Sequence, residues 1–162
     1  MAKYIALAQG VEQNRGMTHK LIIGSADVAA LVSGTAFSIR PNSSRVLVAA
    51  ASADTNPAGW LVKQCYARVT TAFASPNNTI TLVLICGDGG DTARYLASTT
   101  MKTVAFWVPT LKTPFLYTVV DTVDITITAA VEAITVVNAG EMELYFEQFD
   151  PSTLNNPRSS VG

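Results

Sequence analysis

The late part of this chain lacks cations. Residues 113–157 hold seven acids (Asp121, Asp124, Glu132, Glu141, Glu143, Glu147, Asp150) and no Lys or Arg, a net of −7. Residues 1–112 hold ten of the eleven Lys and Arg but five acids, a net of +5, and Arg158 closes the balance. Such asymmetry is satisfied inside one fold if late strands lie beside early ones, or between neighbouring subunits. The first is the simpler expectation. Charge of either sign is scarce, at 14% of 162 residues against about 25% in ordinary soluble domains. With a hydrophobic share of 49%, this suggests surface covered by contacts with other chains. No apolar run reaches about 18 residues, which argues against a spanning helix. The opening MAKYIALAQG lacks the apolar core of a signal peptide, so synthesis in a reducing cytosol is expected. The two cysteines, Cys65 and Cys86, share no metal-type spacing and read as free buried thiols rather than a disulfide.

β-Branched residues fill the space left by those absences. The chain length suits one domain, able to bury a substantial core without staples. RVLVAAAS (45–52) follows the turn Pro41-Asn42-Ser43-Ser44, and WLVKQCYARVTTAF (60–73) follows the turn Asn56-Pro57-Ala58-Gly59. In the second stretch Val62, Gln64, Tyr66, Arg68 and Thr70 share one face and Leu61, Lys63, Cys65, Ala67 and Val69 the other, so neither face is clean. After the turn Ser75-Pro76-Asn77-Asn78, TITLVLIC (79–86) places Ile80, Leu82, Leu84 and Cys86 on one face. Residues 60–73 and 79–86 are therefore expected to form an antiparallel pair. Residues 103–108 and 115–120 give two further short strands. DITITAAV directs Ile125, Ile127, Ala129 and Val131 inward; EMELYFEQF directs Met142, Leu144 and Phe146 inward with Glu141, Glu143, Tyr145 and Glu147 outward. These two strands are expected to close the domain as a hairpin. Segments 25–32 and 92–98 do not sustain a 3.6-residue period and are not assigned as helices. Eight to ten strands at this spacing predict an all-β, antiparallel β-sandwich, jelly-roll-like. The expected organisation is an N-terminal arm (1–16), the sandwich (17–150) and a C-terminal tail (151–162).

Catalytic chemistry finds little support. His19 is the only histidine, and no G-x-S-x-G elbow accompanies it. The loop Gly87-Asp88-Gly89-Gly90-Asp91 lacks the further acids of an EF-hand and the Lys-Ser/Thr of a phosphate-binding loop, so it reads as a strand connection. Asp121, Asp124, Glu141 and Glu143 could supply a carboxylate pair for glycoside hydrolysis, but alternation puts Asp124, Glu141 and Glu143 on a solvated face. Lys3, Arg15, Lys20, Arg40, Arg45, Lys63, Arg68 and Arg94 are dispersed, which argues against nucleic-acid binding. No catalytic residue, metal or cofactor is expected. Aromatic side chains are the better candidates: Phe106 and Trp107 must point to opposite sides of their strand, and Tyr145 lies outward between two glutamates. Exposed rings of this kind anchor protein interfaces.

The segments GDGGDTARYL (87–96), YTVVDTVDITITA (117–129) and NAGEMELYFEQFD (138–150) together resemble small β-rich proteins encoded among the virion genes of tailed bacteriophages. The resemblance covers residues 79–150. It implies a non-enzymatic structural protein, a capsid decoration or cement protein, made in the host cytoplasm and carried on the capsid surface. The implied partners are the major capsid protein and further copies of the chain, a trimer being favoured, with no nucleic acid and no membrane. A tail, fibre or baseplate component binding a host-surface glycan is the alternative. The expected interface residues are Tyr4, Ile5 and Leu7 in the docking arm, with Trp107 and Tyr145.

Overall fold

The computed structural model describes residues 3–6, 19–39, 48–49, 61–107, 114–119 and 121–149. Eleven strands run through them: β1 (Lys3–Ala6), β2 (His19–Gly24), β3 (Ala36–Ile39), β4 (Val48–Ala49), β5 (Leu61–Ala74), β6 (Thr81–Gly87), β7 (Leu96–Thr100), β8 (Ala105–Trp107), β9 (Phe115–Leu116), β10 (Val123–Ala130) and β11 (Ala139–Phe149). Among the described residues there are also a helix, α1 (Ser25–Ala29), and a 3-10 turn (Ile134–Val136). The strands make two antiparallel sheets. One is ordered β1-β2-β11-β5-β8, with β9 also paired to β5; the other is ordered β4-β3-β10-β6-β7. The expected all-β sandwich is therefore the architecture. Leu21, Ile23, Val69, Met142, Leu144 and Phe146 from the first sheet meet Leu82, Leu84, Val123, Ile125 and Ile127 from the second in one buried core.

Two pairings expected from the sequence are corrected. β5 and β6 do not form a hairpin: β5 pairs with β11, β8 and β9, while β6 pairs with β10 and β7. The turn closed by the Asn78 amide on the Ser75 carbonyl, 2.9 Å away, instead carries the chain from one sheet to the other. β10 and β11 are likewise separated, each lying in the middle of its own sheet. Alternation reports which side of a strand is buried, and that side is the same whether the next strand lies alongside or across the core. The connection 131–138 buries Ile134 and Val137 on its way over the end of the sandwich.

The mixed faces of β5 also have a local cause. Glu147 pairs with Gln64 and Gln148 with Val62, so Lys63 is an extra residue in the ladder. A bulge shifts the alternation by one, and both Val62 and Cys65 reach the core. Segment 25–32 does contain a helix, contrary to expectation. α1 is too short for a period to register; the Gly24 amide donates to the Asp27 carboxylate at 2.9 Å, while Val28 and Leu31 plug the core. Segment 92–98 has no helix and leads into β7. Lys3–Ala6, within the expected arm, pair along β2 as an outer strand. The rest of that arm, the tail 151–162 and the turns 41–44 and 56–59 lie outside the described residues.

Val131 was expected to point inward. It is instead 76% exposed, with φ +74°, a region unfavourable to β-branched residues. Gly140, at φ +123°, lies against Phe73, whose Cγ would sit 2.3 Å from an added Cβ. Gly140→Ala is expected to lower unfolding stability by about 3 kcal/mol, combining backbone strain with overpacking. Gly34 (φ +76°) has open space around it, so Gly34→Ala should cost only about 1 kcal/mol. Val131→Gly should raise stability by roughly 1 kcal/mol, by releasing strain at a solvated site. Urea unfolding of the three variants checks the order.

Candidate interaction face

The outer surface of the β1-β2-β11-β5-β8 sheet brings basic early strands beside the acidic late one. β11 runs between β2 and β5, pairing Tyr145 with Lys20 and Tyr66, and Glu143 with Ile22 and Arg68. The Lys20 ammonium is 3.3 Å from Glu143 Oε1, and Arg68 Nη1 is 3.9 Å from Oε2. The Tyr145 hydroxyl donates to Glu143 Oε2 at 2.6 Å, with the Lys20 ammonium 5.6 Å from the Tyr145 ring centre. Thr70 Oγ1 donates to Glu141 at 3.0 Å. The uneven charge of the chain is thus matched here within the fold. The Arg68 side chain is 59% exposed, so its pairing with Glu143 contributes little to stability. Arg68 is held without being desolvated.

An aromatic strip continues across the same face. Phe106 pairs with Arg68, is 55% exposed, and stacks on Tyr66 with ring centres 5.6 Å apart. Trp107 turns the other way: it pairs with Ala67, is half-buried and packs against the core. Of the two adjacent rings, the surface position belongs to Phe106. Tyr145, half-buried, lies on the face as expected. Tyr4 and Ile5 lie in β1, where Tyr4 pairs with Leu21 and Ile5 with Lys20; their side chains and all of Leu7 are outside the described residues. Sequence reasoning missed Tyr66 and Arg68 as members of this face. Their signal was present, since they alternate with the buried Cys65, Ala67 and Val69, but the neighbouring bulge blurred it.

The loop after β6 builds a second polar assembly, at the end of the sandwich opposite α1. Asp88 is 1% exposed and its carboxylate is saturated. Oδ1 accepts from the Gly90 and Asp91 amides at 3.0 and 2.8 Å and from Arg94 Nη2 at 3.3 Å. Oδ2 accepts from Arg94 Nε at 2.5 Å and the Tyr95 hydroxyl at 3.2 Å. The Tyr95 hydroxyl is also hydrogen-bonded to that of Tyr117, and the Arg94 guanidinium lies 3.9 Å from the centre of the Phe115 ring. A carboxylate with its acceptor sites filled holds a loop closed. That is the expected strand connection, here built around a buried ion pair. Among the described residues no three His, Cys, Asp or Glu come together as metal ligands, and no helix is long and apolar enough to cross a membrane. His19 pairs along β2 with Ala6 and Phe146; its side chain is outside the described residues. Comparisons of the chain with protein-family models, with curated proteins and with solved structures give no match.

Burial raises the Tyr95 hydroxyl well above its ordinary pKa, with the Tyr117 hydroxyl beside it adding to the shift. Burial also raises Tyr117. Both groups are harder to ionise folded than unfolded. Their contribution to stability is therefore intact below a pH of about 10 and falls as pH rises above it, because the unfolded chain ionises first. Alkaline unfolding with simultaneous appearance of tyrosinate absorption is expected, and Tyr95→Phe should flatten the pH dependence. Asp88→Asn, which leaves Arg94 without its counter-ion, should cost about 3 kcal/mol in urea unfolding at neutral pH.

Proposed function

We propose that this chain is a non-enzymatic virion structural protein, a capsid decoration or cement protein of a tailed bacteriophage. The observation that carries the reading is the outer face centred on Tyr66, Phe106 and Tyr145. Its aromatic rings are held in place by neighbouring strands, its Lys20–Glu143 pair is mostly covered, and Arg68 beside that pair stays exposed. Rings held on a sheet offer apolar contact at small entropic cost, which suits adhesion to a protein surface. The saturated Asp88 assembly is consistent with a scaffold role. The resemblance over residues 79–150 supplies the class of partner, the major capsid protein. The strand orders β2-β11-β5-β8 and β3-β10-β6-β7 support a jelly-roll winding, which recurs in viral capsid and lectin domains. On this reading the protein assembles as a homotrimer, made in the host cytoplasm and seated on the capsid surface. It bridges neighbouring capsomers so that the expanded shell resists internal pressure. Tyr4, Ile5 and Leu7 of the 1–16 arm, with Tyr145, are the proposed contact residues, and Phe106 takes the place expected of Trp107, whose ring packs against the core.

The stacked Tyr66 and Phe106 beside Arg68 also favour a second reading. Aromatic faces flanked by charged hydrogen-bonding groups accept sugar rings, as a tail, fibre or baseplate component recognising a host glycan would require. Imaging of particles at residue resolution separates the two by the location of the protein. On the leading reading, purified protein added to heads lacking it restores occupancy. Deletion of residues 1–16 should abolish that occupancy, and Phe106→Ser should reduce it by about tenfold or more, with the circular dichroism of the sandwich retained. Full occupancy by both variants would overturn the proposed contact residues; localisation to the tail with glycan binding would replace the head reading by the second.

A further inference from the structure

Among the described residues the Arg68 guanidinium makes no hydrogen bond. Glu143, its partner across the ladder, stays 3.9 Å from Nη1, beyond hydrogen-bond reach. Glu143 is engaged elsewhere: Oε1 accepts from Lys20 at 3.3 Å and Oε2 from the Tyr145 hydroxyl at 2.6 Å. Glu141, two residues earlier on β11, accepts from Thr70. A guanidinium presents five N–H donors in a planar fork. Here they are left to water, on an exposed side chain.

The other side of Arg68 is apolar. β8 and β9 carry no charged residue, and Phe106, opposite Arg68 in the ladder, is exposed and stacked on Tyr66. Val104, just before β8, falls on the same side as Phe106 by alternation and is 64% exposed. Residues directly opposed on neighbouring strands have Cβ atoms roughly 5 Å apart, so a partner seated on Phe106 covers Arg68 as well. Covering a cation whose donors go unaccepted is strongly unfavourable. Adhesion through the rings therefore demands an acceptor from the partner. A carboxylate meets that demand best: its two oxygens match the spacing of the guanidinium fork, and it cancels the charge.

We propose, resting on the adhesive reading of this face, that its protein partner presents a carboxylate beside an apolar side chain. The carboxylate takes the Arg68 guanidinium, and the apolar group lies on Phe106. Arg68 then selects among partners, because an apolar surface without an acid leaves it buried and unpaired.

The full chain, isotopically labelled for NMR, is titrated with hydrocinnamate, which joins a carboxylate to a phenyl ring, and with hydrocinnamamide, its uncharged counterpart. Hydrocinnamate is expected to shift the Arg68 guanidinium and the Phe106 and Tyr66 ring signals together, with the amide severalfold weaker. Arg68→Gln should abolish the shifts and Phe106→Ser should weaken them, both variants keeping the circular dichroism of the sandwich. Equal shifts from the amide, shifts that persist in Arg68→Gln, or no shift at Arg68 would overturn the proposal. So would stronger binding of neutral glucose, which makes a sugar the occupant. The same shifts on raising protein concentration alone would overturn it too, by making a second copy the occupant. Heads lacking the protein give a second readout, in which Arg68→Gln should lower occupancy by about tenfold or more. Full occupancy by Arg68→Gln beside loss in Phe106→Ser would overturn the carboxylate partner and keep the head assignment. Failure of the unaltered protein to occupy heads, with the hydrocinnamate shifts intact, would sink the head assignment and keep the carboxylate partner.

Discussion

Glu143 and Leu144 are neighbours that face opposite ways, and together they hold the six-stranded sheet in register. Leu144 is buried in the core opposite Leu21 and Ala67, while Glu143 reaches Lys20 on one side and Arg68 on the other. A slip of one residue along β11 would send Met142, Leu144 and Phe146 into solvent and bring Glu141, Glu143 and Glu147 into the core. Burial fixes the register at far greater cost to alternatives than the exposed Arg68–Glu143 pair does. The rest of the sheet follows: among the described residues β1 attaches through β2, and β8 and β9 through β5.

The two ends of the sandwich are closed by different chemistry. At one end, Val28 and Leu31 around α1 meet Ile134 and Val137 of the 131–138 connection in an apolar plug. At the other, a buried aspartate gathers an arginine, two backbone amides and two linked tyrosines. The apolar plug is held by many dispersion contacts that are individually weak and collectively large. In the polar assembly each lost partner leaves a desolvated group behind. Between them lies the outer face with Tyr66, Phe106 and Tyr145, supported by long strands rather than by loops.

Burial was legible wherever alternation was regular. The inward sides of β6, β10 and β11 follow directly from their residue order, except at Val131, where the strand has ended and the backbone turns left-handed. Pairing was not legible, because a short connection suits a hairpin and a step over the core equally well. α1 escaped because five residues cannot display a helical period. On the candidate face, Tyr145 was readable from its flanking glutamates, whereas choosing Phe106 over Trp107 required the register of β8 against β5. Asp88 was readable as a loop residue; its role as a hub depends on Tyr117, which lies beyond three further strands.

The placement of β11 also governs how the chain can be made. The residues it joins are far apart in sequence, Lys20 and Glu143 being separated by 123 positions. A ribosome emits β2 and β5 long before the strand that fits between them exists. Until then both strands present unpaired edges, and contacts of such long range form slowly. The six-stranded sheet is therefore completed late in synthesis, and the growing chain depends on staying unaggregated until β11 emerges.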